Sequence, residues 1–239
     1  MTSRWGYGIG RQRLWLNRGQ FLEKSARKMH PIAKMRIYAA RNAFPIDPVW
    51  RLNISPAANK AADEFMSAHA INAASDMLIL GIGAMDDDRC WPLEKFADFI
   101  TSLAKKRPQL ICCLMGAPSE QPLVDTIMHH LPSHIKVVNA ITKLDVGIAL
   151  LARAGGFVGN DSGLMHLSVA SKLRVISLFG PTNDKVYGPY GKKNIVIRTS
   201  ESLDYFKSIN IDETKSYMSS INLDIVIQNC EKLLNENYN

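Results

Sequence analysis

From about residue 55 onward, the hydrophobic positions alternate between short apolar runs and stretches with helical spacing. The runs Met77–Ala84 (MLILGIGA) and Gln109–Met115 predict buried strands, because strands covered on both faces read as continuous apolar sequence. Between them, apolar side chains at helical spacing predict a helix from Pro92 to Lys106. This part of the chain therefore alternates strand, helix and strand.

The same alternation continues toward the C-terminus. Further strands are predicted at residues 135–139, 157–159, 174–179 and 194–198. Further helices are predicted at residues 57–70, 119–131, 142–154, 162–173 and 223–235, the first three capped by Ser55, Ser119 and Thr142. Strands that alternate with helices of this length predict an α/β fold with a doubly wound parallel sheet. Ligands bind such sheets beyond the carboxyl ends of the strands, so the residues after each strand are the candidates for chemistry.

Residues 1–54 do not follow this pattern, and no strand is predicted in them. They contain a predicted helix from Pro31 to Asn42 and a connection punctuated by Pro45 and Pro48. We therefore divide the chain into residues 1–54, the last part of another domain with a linker, and residues 55–239, the doubly wound domain.

The positive charge of the chain is concentrated in its first part. Residues 1–41 contain ten lysines and arginines and a single acid, Glu23, so this segment carries +9 against +7 for the whole chain. Such a segment suits an anionic membrane surface, an anionic acceptor or nucleic acid. The alternative is a solvated linker that has lost its covering partner. No recognised nucleic-acid-binding motif accompanies the charge, so we expect no nucleic-acid partner.

The overall composition is that of a globular protein, with 239 residues of which 46% are hydrophobic and 21% charged. The longest apolar run, Met77 to Met85, is half as long as the ~18–20 residues that cross a bilayer. The four cysteines lack zinc-ligand spacing, and we interpret them as buried thiols in a reducing compartment. Since no secretory apolar segment follows Met1, we predict a cytoplasmic protein.

The segment after the first predicted strand reads GIGAMDDDRCWP (81–92). Its G-x-G lacks the third glycine of a dinucleotide fingerprint, because position 86 is Asp, so an NAD-type site is disfavoured. Arg89 and the helix that begins at Pro92 offer a guanidinium and unpaired backbone N–H groups to an anion. The alternative is a surface arginine that pairs with the Asp86–Asp88 cluster.

Two further turns leave alternatives open. Glu120 ends the turn GAPSE (116–120) and either complements the dipole of the following helix or accepts the hydroxyls of a ribose. The turn YGPYG, from Tyr187 to Gly191, has a shape fixed by proline and glycine. It either lines a sugar pocket or covers the edge of the sheet.

The segment GGFVGNDSGLMH (155–166) holds the most informative strand end. Gly163 in the first turn of a helix lets a ligand approach the backbone N–H groups, and Ser162 adds a hydroxyl. His166 lies one helical turn on, on the same face. These groups together predict an anion site with an imidazole beside it. In the alternative interpretation Asp161 is a plain helix cap and His166 is a buried helix residue.

Two segments, GNDSGLMH (159–166) and LFGPTNDKVYGPYG (178–191), together resemble the signature of glycosyltransferase family 9. That family contains the ADP-heptose:lipopolysaccharide heptosyltransferases. The upstream RCWPLEKF (89–96) resembles the family's K-x-W-P-x-x-x-[FW] element, and GAPSE resembles its G-A-x-x-E. The resemblance covers about residues 76–236 and extends more weakly back to Gly6.

The resemblance implies a GT-B glycosyltransferase, of which residues 55–239 form the C-terminal, Rossmann-like half that binds the nucleotide sugar. It implies donor contacts at nine positions: Ala84 and Met85 near the diphosphate, Arg89 as its cation, Glu120 on the ribose, Thr142 at the adenine, Asp161 on the heptose hydroxyls, and Ser162, Gly163 and His166 at the diphosphate and sugar. Arg89 stands where the family usually has lysine, which keeps the charge and changes its geometry.

The implied reaction is inverting transfer of heptose from ADP-heptose to the lipopolysaccharide inner core, without a metal or other cofactor. A carboxylate base deprotonates the acceptor hydroxyl while ADP leaves. In the family, the base is the aspartate of a Gly-Asp turn, and this sequence has no such dipeptide. We therefore assign no catalytic residue here and expect the base in an N-terminal domain that precedes this chain. Implied partners are the lipopolysaccharide core acceptor and, peripherally, the inner membrane; the alternative is a catalytically silent nucleotide-sugar-binding remnant.

Overall fold

A computed structural model describes residues 2–46, 52–73 and 77–236. Its centre is a six-stranded sheet with the order β3-β2-β1-β4-β5-β6, in which every neighbouring pair is parallel. The strands are β1 (Met77–Gly81), β2 (Ile111–Met115), β3 (Val137–Asn139), β4 (Gly156–Asn160), β5 (Val175–Phe179) and β6 (Ile195–Arg198). The predicted α/β fold with a doubly wound parallel sheet is confirmed, and each predicted strand is present with ends shifted by at most a few residues.

Nine α-helices occur in the described ranges. They are α1 (Pro31–Arg41), α2 (Pro56–Ala68), α3 (Leu93–Lys106), α4 (Gln121–His130), α5 (Leu144–Leu151), α6 (Gly163–Ala170), α7 (Asp184–Tyr187), α8 (Leu203–Ser208) and α9 (Leu223–Glu236). Among the helices of these ranges, none combines the length and apolar character that crossing a bilayer requires.

Each face of the sheet has its own hydrophobic core. On β1, Leu78 and Leu80 point into the core shared with α3, α4 and α9, whereas Met77 and Ile79 point into the core shared with α2, α5 and α6. All four side chains are fully buried. The strand therefore reads as an uninterrupted apolar run because helices cover both of its faces.

The order of the strands reverses at β1, which pairs with β2 on one side and with β4 on the other. The chain builds outward from β1 to β3 and then returns to lay β4 beside β1. Such a reversal opens a crevice between the loops at the carboxyl ends of the two central strands. In this protein the crevice therefore lies beyond Gly81 and Asn160.

Residues 2–46 contain no strand, as predicted, and form a small core from Ile9, Leu22, Ala26 and Tyr38. They contact the sheet domain through His30, whose Nε2 lies 3.1 Å from the carbonyl oxygen of Gly188. The division of the chain at residues 54 and 55 stays a prediction, and the linker proline at 48 lies outside the described residues.

Two predicted helix caps are wrong. Lys143, not Thr142, is the residue that precedes α5, and the Thr142 hydroxyl instead donates to the carbonyl of Lys143. Ser119 lies inside a short 3-10 turn, Pro118–Glu120, that comes before α4. Each helix begins two residues after the hydroxyl residue, whereas a capping residue directly precedes its helix.

Two short helices, α7 and α8, were not predicted. The side chain of Asn183 accepts from the backbone N–H of Lys185, and that of Ser202 accepts from Tyr205, so each helix has an ordinary cap. Helices of four and six residues are too short to show a hydrophobic period.

Candidate functional site

A cavity of about 850 Å³ opens at the carboxyl ends of the central strands. Its wall includes all nine residues that the sequence predicts as donor contacts: Ala84, Met85, Arg89, Glu120, Thr142, Asp161, Ser162, Gly163 and His166. These positions come from the loops after β1, β2, β3 and β4, and the parallel sheet brings those loops to one edge. The structure thus places the predicted residues around one space, while their roles toward a ligand stay predictions.

The start of α6 forms one side of the cavity. Ser162 is the residue before the helix, yet its hydroxyl makes no cap hydrogen bond and is buried without a partner in the described part of the protein. A Cβ built on Gly163 would meet no atom within 4 Å, so this glycine borders open space. A helix start with an unsatisfied hydroxyl and an uncovered backbone suits an anion that approaches closely.

His166 follows one turn later on the same wall and is exposed to the cavity, so the interpretation as a buried helix residue is wrong. The surrounding protein lowers the pKa of His166 below 6.5 by desolvation, and nearby His30 lowers it further. The imidazole is therefore neutral near pH 7. Because the folded state disfavours its protonated form, this residue reduces stability as the pH falls from 6.5 through its lowered pKa.

We expect the titration of His166 to report an anion in the cavity. In the free protein its pKa should lie below 6.5, and saturation with ADP should raise it, because a diphosphate beside the ring favours the imidazolium. By linkage, ADP should bind more tightly as the pH falls through this pKa. The measurement is an NMR titration of ¹³C-labelled histidine with and without ADP.

His134 is the internal control for that titration. It is exposed and precedes β3, at the amino end of the sheet and away from the cavity, so ADP should leave its ring resonances unchanged. A His166 titration that ADP leaves unchanged would contradict a diphosphate site at the start of α6.

Asp161 is almost fully buried, with 8% of its surface exposed, and it does not cap α6. Burial raises its pKa, although the hydrogen bond from Thr182 and the charge of Arg89 oppose the rise. A carboxylate in such a wall is a strong acceptor for hydroxyl groups of a ligand, because little water competes for it.

Arg89 lies opposite α6 and pairs with Asp86 and Asp88. The predicted pairing with the acidic cluster is therefore present, and the same guanidinium also lines the cavity. The start of α3 does not reach this space: neither Pro92 nor Leu93 borders it, and Trp91 is fully buried. The expected anion contact from that helix is therefore absent from the cavity wall.

Glu120 occupies the middle of the cavity wall. Its Oε2 accepts the backbone N–H of Ala117 at 2.7 Å, and the carboxylate lies so close above Gly83 and Gly116 that neither position has room for a Cβ. The residue thus closes the turn before α4 and also faces the cavity, while its contact with a ribose stays a prediction.

Beyond Glu120 most of the cavity wall is apolar, with Thr142 and Lys143 as its polar members. Its apolar members are Met115 and Ala140 at strand ends and Leu144, Gly147, Ile148 and Leu151 of α5. The sequence did not identify them as site residues, because apolar residues of a strand and a helix are indistinguishable from core. The cavity therefore runs from an apolar end, past one carboxylate, to an end with a cation, a helix start and an imidazole.

Two residues outside the predicted set hold the site loops in place. The fully buried Asn160 accepts from the backbone N–H of Trp91 at 3.0 Å and donates to the carbonyl of Ile82 at 2.7 Å. It thereby fixes both ends of the loop that carries Ala84, Met85 and Arg89. Its position in the NDSG segment indicates that Asn160 lies near the site. Its partners are 69 and 78 residues away and cannot be predicted from the sequence.

Arg198 performs the same task on the other side of Asp161. It donates to the carbonyls of Gly180 and Thr182 and forms an ion pair with Asp184 at 2.8 Å. These contacts hold the GPTND turn (180–184) and, with it, the Thr182 hydroxyl that bonds to Asp161.

The profile of glycosyltransferase family 9 (heptosyltransferase) matches residues 4–215, which is most of the chain. The chain belongs to glycosyltransferase family 9. The match includes the basic first segment as well as the sheet, in agreement with the predicted weaker resemblance back to Gly6.

Curated relatives include several heptosyltransferases. Lipooligosaccharide heptosyltransferase 2 of Haemophilus influenzae is 32% identical over 127 residues, which are 52% of this chain and 36% of that protein. Lipopolysaccharide heptosyltransferase 3 of Escherichia coli K12 is 29% identical over 149 residues, 62% of this chain and 43% of that protein. The chain thus matches between about a third and a half of the length of these relatives.

Solved structures share the fold at lower identity. A glycosyl transferase family 9 protein from Veillonella parvula superposes with a TM-score of 0.79 at 23% identity, covering 94% of this chain and 64% of that one. The Escherichia coli ADP-heptose lps heptosyltransferase II gives 0.72 at 21% identity, covering 94% and 67%. The fold of this chain is therefore that of the larger part of a GT-B heptosyltransferase.

Proposed function

We propose that this chain binds a nucleotide sugar, ADP-heptose or a close relative, in the cavity beyond β1 and β4. The observation that carries the proposal is the order of chemistry along the wall. A mostly apolar end, a carboxylate and a helix start with an unpaired hydroxyl follow one another in the order that suits base, ribose and diphosphate.

The proposed placement assigns each part of the ligand to groups that suit it. The adenine lies between Met115 and α5, near Thr142, and the ribose hydroxyls donate to the free oxygen of Glu120. The diphosphate accepts hydrogen bonds from the backbone N–H groups at the start of α6. It lies near five residues: Ala84, Met85, Arg89, Ser162 and His166. The sugar hydroxyls then donate to Asp161. ADP is favoured as the nucleotide because a structure of E. coli heptosyltransferase WaaC with ADP shares this fold.

In transfer, this site stabilises the leaving group. As the bond from the anomeric carbon to the diphosphate oxygen breaks, negative charge grows on the diphosphate. Helix N–H groups and Arg89 face that charge, and groups held in place before the reaction need little reorganisation. The guanidinium is paired with Asp86 and Asp88 in the free protein, so the incoming diphosphate would share it.

Beyond this chain's own site, we propose that the whole protein transfers heptose, with inversion, to the lipopolysaccharide inner core in the cytoplasm. The relatives named lipopolysaccharide heptosyltransferases motivate this substrate. The acceptor hydroxyl needs a base, since both carboxylates of the cavity wall are assigned to donor hydroxyls. The family's acceptor-binding domain would supply it. The basic segment 1–41 is then available to an anionic acceptor or to the inner membrane surface.

Isothermal titration calorimetry with ADP and ADP-heptose tests donor binding. We expect micromolar binding of ADP, and a loss of about tenfold or more for Arg89→Gln, because the substitution removes the cation and leaves Asp86 and Asp88 facing the diphosphate. Asp161→Asn should weaken ADP-heptose more than ADP. Lys185→Gln is the matched control, since Lys185 is exposed and outside the cavity wall.

A protein that is folded by circular dichroism and binds neither ligand would refute the proposed site. An activity assay with a Kdo–lipid A acceptor distinguishes an active transferase from the catalytically silent alternative. Donor binding with product formation contradicts the silent alternative, and donor binding without product supports it.

A further inference from the structure

Gly147 is an interior residue of helix α5 and lines the mostly apolar end of the cavity. Its backbone N–H donates to the carbonyl of Lys143 at 2.9 Å, as in a regular helix. A glycine at such a position makes a helix less stable than an alanine does, because glycine loses more backbone freedom on folding. The helix itself therefore gives no reason for a glycine at this position.

Neither the backbone nor the packing requires a glycine there. The glycines with positive φ lie elsewhere in the described part of the chain. A Cβ built on Gly147 would lie 3.5 Å from Oγ1 of Thr142 and 3.8 Å from Sδ of Met115, which are ordinary contact distances. Gly83 and Gly116 line the same cavity and differ, since the carboxylate of Glu120 leaves no room for a Cβ at either position.

A side chain longer than a methyl group at position 147 would enter the cavity. The two atoms nearest to the Cβ position belong to Thr142 and Met115, which both line the cavity. Apart from α5 itself, no other heavy atom of the described residues lies within 4 Å of that position. The remaining directions lead into open space, so the missing side chain enlarges this end of the cavity.

In the proposed donor complex, the base occupies this space. A purine has two fused rings and a pyrimidine has one, so a purine needs the larger space and buries more apolar surface. Without a side chain at Gly147, the ring system can approach the backbone of α5 closely. Because the wall here is mostly apolar, shape and buried area decide which base fits best.

We propose that Gly147 determines the size of the base that the cavity accepts, and that its missing side chain selects a purine over a pyrimidine. This inference rests on the proposed function, because it names the residue that gives the donor site its preference for an adenine nucleotide. The sequence did not identify this residue, since a glycine in an apolar helix resembles any small residue of a core.

Isothermal titration calorimetry with ADP and UDP tests the proposal on the wild type, Gly147→Ala and Gly147→Leu. The wild type should bind ADP about tenfold or more tightly than UDP. Gly147→Leu should lose about thirtyfold or more in affinity for ADP and about threefold or less for UDP, because leucine fills the space of the second ring. Gly147→Ala should lose about threefold for ADP, while its melting temperature rises by about 1–3 °C.

Two controls separate this effect from a general loss of structure. Pyrophosphate should occupy only the end of the cavity at the start of α6, so every variant should bind it as the wild type does. Ala152→Leu adds a similar bulk at the exposed end of α5, outside the cavity wall, and should bind ADP normally.

The outcomes distinguish the two proposals. A wild type that binds neither ADP nor pyrophosphate would refute the donor site itself. The role of Gly147 would be overturned, with the donor site left standing, by a wild type that binds UDP as tightly as ADP. Full ADP affinity in Gly147→Leu, or an equal loss of ADP, UDP and pyrophosphate, would also overturn it. If Gly147→Leu does not fold, unchanged ADP affinity in Gly147→Ala decides against the proposal.

Discussion

Replacing Gly163 by valine is expected to weaken the affinity for ADP by a factor of about a hundred or more without unfolding the protein. A factor of one hundred in affinity is about 2.7 kcal/mol, the scale of one or two lost hydrogen bonds to a charged group. The effect should be large because the new side chain stands where the diphosphate would approach the backbone of α6.

The folded protein should tolerate the same change. A Cβ at Gly163 meets no atom within 4 Å, and the backbone there does not have the positive φ that only glycine adopts easily. Valine also has a higher helix propensity than glycine, by a few tenths of a kcal/mol. The melting temperature should therefore stay constant or rise slightly while binding is lost.

Calorimetry with ADP and thermal unfolding on the same samples check that affinity is lost while stability is retained. Gly180→Ala is the contrasting control, because its Cβ would lie 2.8 Å from Met218 and 3.3 Å from the carbonyl of Asp88. That variant should lose stability. Unchanged ADP affinity in Gly163→Val would mean that the ligand does not approach the start of α6.

Replacing Asn160 by leucine is expected to lower the free energy of unfolding by about 2–6 kcal/mol. The change leaves the N–H of Trp91 and the carbonyl of Ile82 buried without partners, and each unpaired group costs about 1–3 kcal/mol. Since those two groups bracket the loop that carries Arg89, ADP affinity should also fall in the fraction that remains folded.

Urea unfolding of the wild type, Asn160→Leu and Ser177→Ala measures the effect. Ser177 is equally buried, but it makes one hydrogen bond, to Ile195 on the edge strand β6, so its removal should cost about 1 kcal/mol and leave ADP affinity unchanged. If Asn160→Leu were as stable as Ser177→Ala, the two long-range bonds would have no structural importance.

The sequence predicted the sheet well because its strands are buried on both faces. Runs such as MLIL at 77–80 have no polar interruption, and the helix from Leu93 to Lys106 has a clear apolar stripe. The short helix α8 escaped prediction because six residues do not establish a period. The sequence predicts Thr142 as a helix cap because hydroxyl residues usually cap helices, whereas in the structure its hydroxyl donates to the carbonyl of Lys143.

For the site, the sequence predicts the polar residues but not the apolar ones. The polar residues Glu120, Asp161 and His166 are recognisable because they follow predicted strands, although each also has a structural interpretation. Met115 and Leu151 did not stand out, because an apolar wall of a pocket and an apolar wall of a core have the same composition. Contacts such as that of Asn160 with Ile82 depend on the closed fold and not on local sequence.

The crowding around Glu120 couples the effects of substitutions at Gly83, Gly116 and Glu120. Gly83 and Gly116 are 33 residues apart, yet each lacks room for a methyl group because the same carboxylate covers both. A larger residue at either glycine has to displace that carboxylate, which also removes it from the N–H of Ala117. Shortening Glu120 first would relieve both positions. A substitution at either glycine is therefore coupled to the conformation of Glu120, whose flexible carboxylate would have to turn away.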